Sequence, residues 1–334
     1  MPSAEPAGAG PAAPAGLRYD ELHRRGPGGA WRPLVGVPLV AVLFFAGQFL
    51  LTAFFGIFLL LTSRDTYEIA ARLSGDPVTP AFLAYVNLGW ALAIPGVLVV
   101  ALLLHRQRPG MVASVVGRLR WRWFAVCLGI AVVALALTVA VSGVLPDQGA
   151  GTLDTTGGAN PWTSTMRDFV LVVLLLTPLQ AAGEEYVFRG YLAQAFGGLT
   201  ARLGARASAA VAVGVPAVLF ALAHGLGQDV PIFFDRLAFG VVAGLLVILT
   251  GGLEAAIAMH VLNNFLAFGL ALAFSDMTEA LNPTGGSWWS IPVTLVQSVS
   301  YLVLAVAAAR RLGVANRTGE PDGGAILEPR GGLV

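Results

Sequence analysis

The chain has one cysteine, Cys127, and no lysine among its 20 basic residues. A single thiol excludes an intramolecular disulfide and any site built on paired cysteines. The all-arginine bias, together with abundant alanine, glycine and proline, points to a bacterial source. Charge is scarce: 12% of the residues are Asp, Glu, Lys or Arg, against about 25% in a soluble domain. Hydrophobic residues make up 56%, and the mean hydropathy is +0.76. This balance excludes a water-soluble globular domain and leaves an all-α, polytopic transmembrane bundle. The net charge of +1 names no partner, nucleic acid included, because in a membrane protein the placement of charges matters more than their sum. No internal repeat is evident, which weakens a transporter architecture.

Residues 1–33, rich in Pro, Ala and Gly, have no apolar run that could offset chain entropy, so a disordered cytoplasmic tail is expected there. They also lack the short apolar core of a signal peptide. Residues 313–334 read as a second disordered tail, leaving 34–312 as the membrane domain. Within it, about eight apolar segments approach the ~20 residues that a spanning helix needs. Their approximate limits are 34–62, 81–105, 123–145, 168–190, 205–226, 231–252, 254–274 and 288–309. Arginines gather before the first segment, between the second and third, and after the fourth and eighth. By the positive-inside rule this puts both termini in the cytoplasm, in a multi-pass protein of the bacterial inner membrane.

Three stretches hold polar groups that apolar packing does not explain. The first is GEEYVFRG, where Glu185 and Arg189 share a helix face four residues apart and Glu184 is turned about 100° away. The second is FALAHG, with Phe220 and His224. The third is MHVLNNF, in which His260 and Asn264 share a face and Asn263 lies beside them. Taken singly, an ion pair or a histidine in a membrane helix more often serves as interhelical glue. The coincidence of the three is the signal, since the chain has only four histidines. His23, in the tail, and His105, at a helix end, read as solvated. Asp235 and Arg236 are explained by snorkelling or mutual pairing. Glu254 reads as a helix start, and residues 111–123 as an interfacial basic anchor.

Together the stretches resemble the CAAX prenyl protease and bacteriocin-processing family of intramembrane proteases, the type II CAAX endopeptidase-like proteins. The family's EExxxR, FxxxH and HxxxN motifs occur here in order as Glu184, Glu185 and Arg189; Phe220 and His224; His260 and Asn264. The resemblance covers about residues 165–275. It implies an endopeptidase in which Glu184 and His224 activate water while His260 and Asn264 stabilise the oxyanion. Glu185, Arg189 and Phe220 would then support the site, and the substrate would be a protein or peptide taken from the lipid bilayer. Relatives in eukaryotes cut after a prenylated cysteine, a substrate not expected in a bacterium. The resemblance leaves two designs open. One is metal-free; the other holds a divalent ion such as Zn²⁺ on Glu184, His224 and His260, although the HExxH spacing of soluble zinc proteases is absent. A transporter or proton relay, or a non-catalytic immunity or binding protein, is the alternative from another class. One geometric tension accompanies the spans: Glu184 falls late in the inward-running fourth helix and His224 late in the outward-running fifth. Their depths then differ on the order of 10 Å unless the fourth helix continues past GYLAQAF.

Overall fold

The computed structural model describes residues 16–25, 29–62, 65–146, 158–225, 227–281 and 285–322. Among the described residues, eight helices are long and apolar enough to cross a membrane: α1 (Trp31–Thr62), α2 (Pro80–Leu103), α3 (Trp121–Ser142), α4 (Ser164–Leu199), α5 (Ala205–Ala223), α6 (Val230–Thr250), α7 (Glu254–Phe274) and α8 (Ser290–Leu312). The protein is thus a multi-pass, all-α helical bundle, and the eight apolar segments fall where hydropathy puts them. Large side chains such as Phe45, Phe49, Phe54 and Leu61 are mostly exposed. In water that would be a liability, whereas in lipid it is the ordinary outer surface of a spanning helix.

The order of packing follows from small residues. α2 lies along α4, and α7 packs on both α3 and α4. At Gly183 the α2 backbone comes so close that a Cβ atom there would stand 2.1 Å from the carbonyl oxygen of Trp90. Only glycine lets the two helices meet at this point. Local start signals agree with the boundaries: Thr79 caps α2, Thr163 caps α4 and Asp229 caps α6, each accepting the backbone N–H of the third residue on.

α4 is the long one, at 36 residues. It runs as α-helix to Glu185, widens into a π-helical turn over Tyr186–Leu192, and resumes over Ala193–Leu199. The continuation past GYLAQAF is therefore real, and it removes the premise behind the expected depth mismatch between Glu184 and His224.

The ends differ from expectation. Residues 19–25 were expected in a disordered tail, yet they form a 3-10 helix with Tyr19, Asp20 and Leu22 buried. This segment docks against α4: the main-chain oxygen of Asp20 lies where a Cβ on Gly197 would sit, 2.1 Å away. The backbone N–H of Gly16 donates to Thr318 O at 2.7 Å and that of Thr318 to Leu17 O at 3.0 Å, joining the two terminal segments at one end of the bundle. Both terminal stretches read as tails are thus ordered next to the membrane domain, while residues 1–15 and 323–334 lie outside the described residues. The connection 147–157 lies outside them as well.

Glu254 does open α7, but its carboxylate is also the buried partner of Arg120. The guanidinium donates from Nε at 2.8 Å and Nη2 at 2.8 Å, and also reaches the carbonyls of Thr250 and Ala315. Arg120 is accordingly a structural rivet within the basic stretch expected only to anchor lipid. Removing one partner of such a buried pair costs about 3–5 kcal/mol.

Candidate functional site

The three motif stretches converge. Glu184 and Glu185 close the α-helical part of α4, Arg189 sits in the π turn behind them, and His260 and Asn264 face them from α7. Phe220 stands near the end of α5, with His224 as the residue that caps it. π turns inside α-helices concentrate at functional sites because the extra residue re-aims the side chains around it.

Glu185 is fully buried and accepts two bonds on one oxygen, from Arg189 Nη1 at 3.0 Å and from His260 Nδ1 at 2.8 Å. The Glu185–Arg189 pair is the one the i, i+4 spacing calls for. Its contact with His260 was not legible in the spacing. Arg189 needs more than this carboxylate in so dry a place, and it lies over the face of Phe220 with its guanidinium carbon 4.1 Å from the ring centroid. A desolvated cation–π contact of this kind contributes about 2 kcal/mol or more. Phe239 completes the box, stacked 5.8 Å from Phe220 and edge-on to His260 at 5.1 Å.

Glu184 makes different contacts. Its Oε1 accepts a short bond from Gln180 Nε2, and Gln180 Oε1 in turn accepts from Asn264 Nδ2 at 3.0 Å. Its Oε2 has no hydrogen-bond partner among the described residues and faces His260 Nε2 at 3.7 Å. With Nδ1 donating to Glu185, His260 turns Nε2 toward Glu184; the tautomer follows from the carboxylate at Nδ1. Asn263, beside the motif, accepts from Gln297 on α8 at 2.8 Å and belongs to helix packing.

His224 is set apart. Its ring is exposed, its Nδ1 meets the carbonyl oxygen of Phe220 at 2.8 Å, and it lies edge-on to the Phe220 ring at 4.6 Å. Phe220 in turn is edge-on to His260 at 6.1 Å, so one aromatic ring touches both histidines. The donor set of a metal centre does not assemble here. Among the described residues no group of three His, Cys, Asp or Glu side chains stands close enough to hold one ion.

Gln180 and Phe239 were not singled out from the sequence. Gln180 had a signal, being an amide four residues before Glu184 and hence on its face in an otherwise apolar run. Phe239 had none, since an aromatic residue in an apolar helix is ordinary packing.

A family model described as type II CAAX prenyl endopeptidase Rce1-like matches residues 166–266, a stretch that contains every residue from Gln180 to Asn264 named above. No curated protein and no solved structure matches the chain.

Proposed function

We propose, from the match of residues 166–266 to a family model described as type II CAAX prenyl endopeptidase Rce1-like, that this chain is an intramembrane endopeptidase with Glu184 as its general base. The observation that carries this reading is the unbonded Oε2 of Glu184, buried in a spanning helix 3.7 Å from His260 Nε2. A water held by both groups loses a proton to Glu184 as its oxygen attacks the peptide carbonyl, and Glu184 returns that proton to the departing amine. Base catalysis of this kind contributes about 10²- to 10⁴-fold. Asn264, aimed by Gln180, supplies an amide donor for the oxyanion. Glu185 and Arg189 act as positioning residues, fixing the ring of His260 through Nδ1. In this reading His260, and not His224, takes the place beside Glu184. The substrate is a membrane-embedded protein or peptide. The arginines near both ordered ends, which lie at one end of the bundle, support a cytoplasmic assignment of that end in a bacterial inner membrane.

The test compares membrane proteomes of cells carrying the wild type, Glu184→Gln and His260→Ala for accumulated uncleaved termini. A substrate so identified is then cleaved with purified protein. Loss of cleavage by both variants, with folded protein retained in the membrane, is the expected result. Undiminished cleavage by Glu184→Gln would remove the carboxylate from the mechanism.

A further inference from the structure

Where residues 16–25 dock, a cavity of about 320 Å³ is lined by His23, Arg24, Arg32, His105 and Arg202, together with small residues that include Gly29 and Gly198. It shares no residue with the Glu184–His260 site. Three arginines and two histidines line it, and no carboxylate does so among the described residues. One of its side chains carries unmet donors: Nε and Nη1 of Arg32 are buried without a hydrogen-bond partner among the described residues. Arg24 is held in place by Glu21 Oε1 at 3.0 Å and Ser208 Oγ at 3.3 Å. His23 is fixed by stacking on His105, ring centroids 3.8 Å apart, and His105 by Tyr191, whose hydroxyl is 2.8 Å from Nε2.

Buried donors without acceptors are costly, and native proteins rarely keep them unless something binds there. The guanidinium fork fits the paired oxygens of a phosphate, and several such groups around one cavity favour an anion over a neutral ligand. The depth of the cavity adds to this. Trp31 and Leu34, either side of Arg32 and Pro33, are 53% and 61% exposed at the head of α1, where the apolar outer surface begins. Tryptophan at that level marks the lipid headgroup zone.

We propose that this pocket binds a phosphate anion, presented as the headgroup of an anionic phospholipid or as free phosphate. The test follows the thermal unfolding of the full chain in neutral detergent, with phosphatidylglycerol, phosphatidylcholine or inorganic phosphate added. Phosphatidylglycerol raises the unfolding midpoint. In Arg32→Gln, and separately in Arg202→Gln on the exposed rim, its apparent dissociation constant rises about tenfold. A matching response to inorganic phosphate, lost in the same variants, assigns the site to the free anion. No stabilisation by either compound, or a response unchanged in both variants, would overturn the site. An equal response to phosphatidylcholine would overturn the requirement for an anion.

Discussion

Glu184 and Glu185 are adjacent in sequence, and the difference in what they touch explains how one buried site holds two acids. Glu185 is neutralised by Arg189 and bonded to His260; Glu184 is bonded by the amide of Gln180 and, among the described residues, its other oxygen has no hydrogen bond and stands 3.7 Å from His260 Nε2. The chain Asn264–Gln180–Glu184 makes Gln180 the residue that would aim both the proposed oxyanion donor and the proposed base. Gln180→Ala should therefore lower kcat on the order of 10²-fold, the cost of one misplaced donor, with a smaller change in KM. Steady-state kinetics on an identified substrate separate the two, and an unchanged kcat would detach Gln180 from the reaction. Glu185→Gln keeps the shape but removes the charge facing Arg189. Breaking such a buried pair costs about 3–5 kcal/mol, so the thermal midpoint should fall even where some activity survives; an unaltered midpoint would mean that Phe220 alone suffices for Arg189. Motif spacing made Glu185–Arg189 legible, because i, i+4 contacts are local. The bond between His260 and Glu185 was not, because it joins residues 75 positions apart on two helices and depends on the rotation of each.

At the level of elements, the eight spans were readable because a bilayer demands about 20 apolar residues per crossing and nearly nothing else. The widening of α4 over Tyr186–Leu192 and its run to Leu199 were not, since a π turn leaves no mark on hydropathy. The ordered Tyr19–Arg25 was also hidden: a short polar helix is held by what it docks on, here Gly197 and its neighbours, and not by its own composition. The contact of α2 with α4 shows the same dependence. Gly183 admits the Trp90 carbonyl next to Glu184, so Gly183→Ala should push the helices apart and cost about 1–3 kcal/mol, as overpacking does. Gly129→Ala on α3, where a Cβ meets nothing within 4 Å, is the control. Thermal unfolding of the two variants side by side decides it: equal stability would mean that the α2–α4 approach is not tight at Gly183.

Across the whole molecule, the end of the bundle is closed by a small apparatus remote in sequence from the motif residues. Residues 16–18 pair with 317 and 318, Tyr19 donates to the Val112 carbonyl, and His23 stacks on His105. Both histidines are held below the ordinary range. Burial lowers His105 to about 4, with the positive charge of Arg32 adding to the effect. Burial also lowers His23, and its neighbour His105 acts in the same direction. Native pKa values under the unfolded value of 6.5 mean that the unfolded chain binds more protons through the interval between them. The contribution is full above pH 6.5 and is lost progressively as the pH falls toward about 4. The thermal midpoint, measured in phosphate-free detergent solution, should therefore drop on acidification from pH 7 to pH 5. The drop should be shallower in His23→Phe, which keeps a stacked ring but cannot titrate and leaves no ring nitrogen without a partner. Equal pH dependence in the two proteins would show that the His23–His105 stack does not govern how the terminal segments hold to the membrane domain.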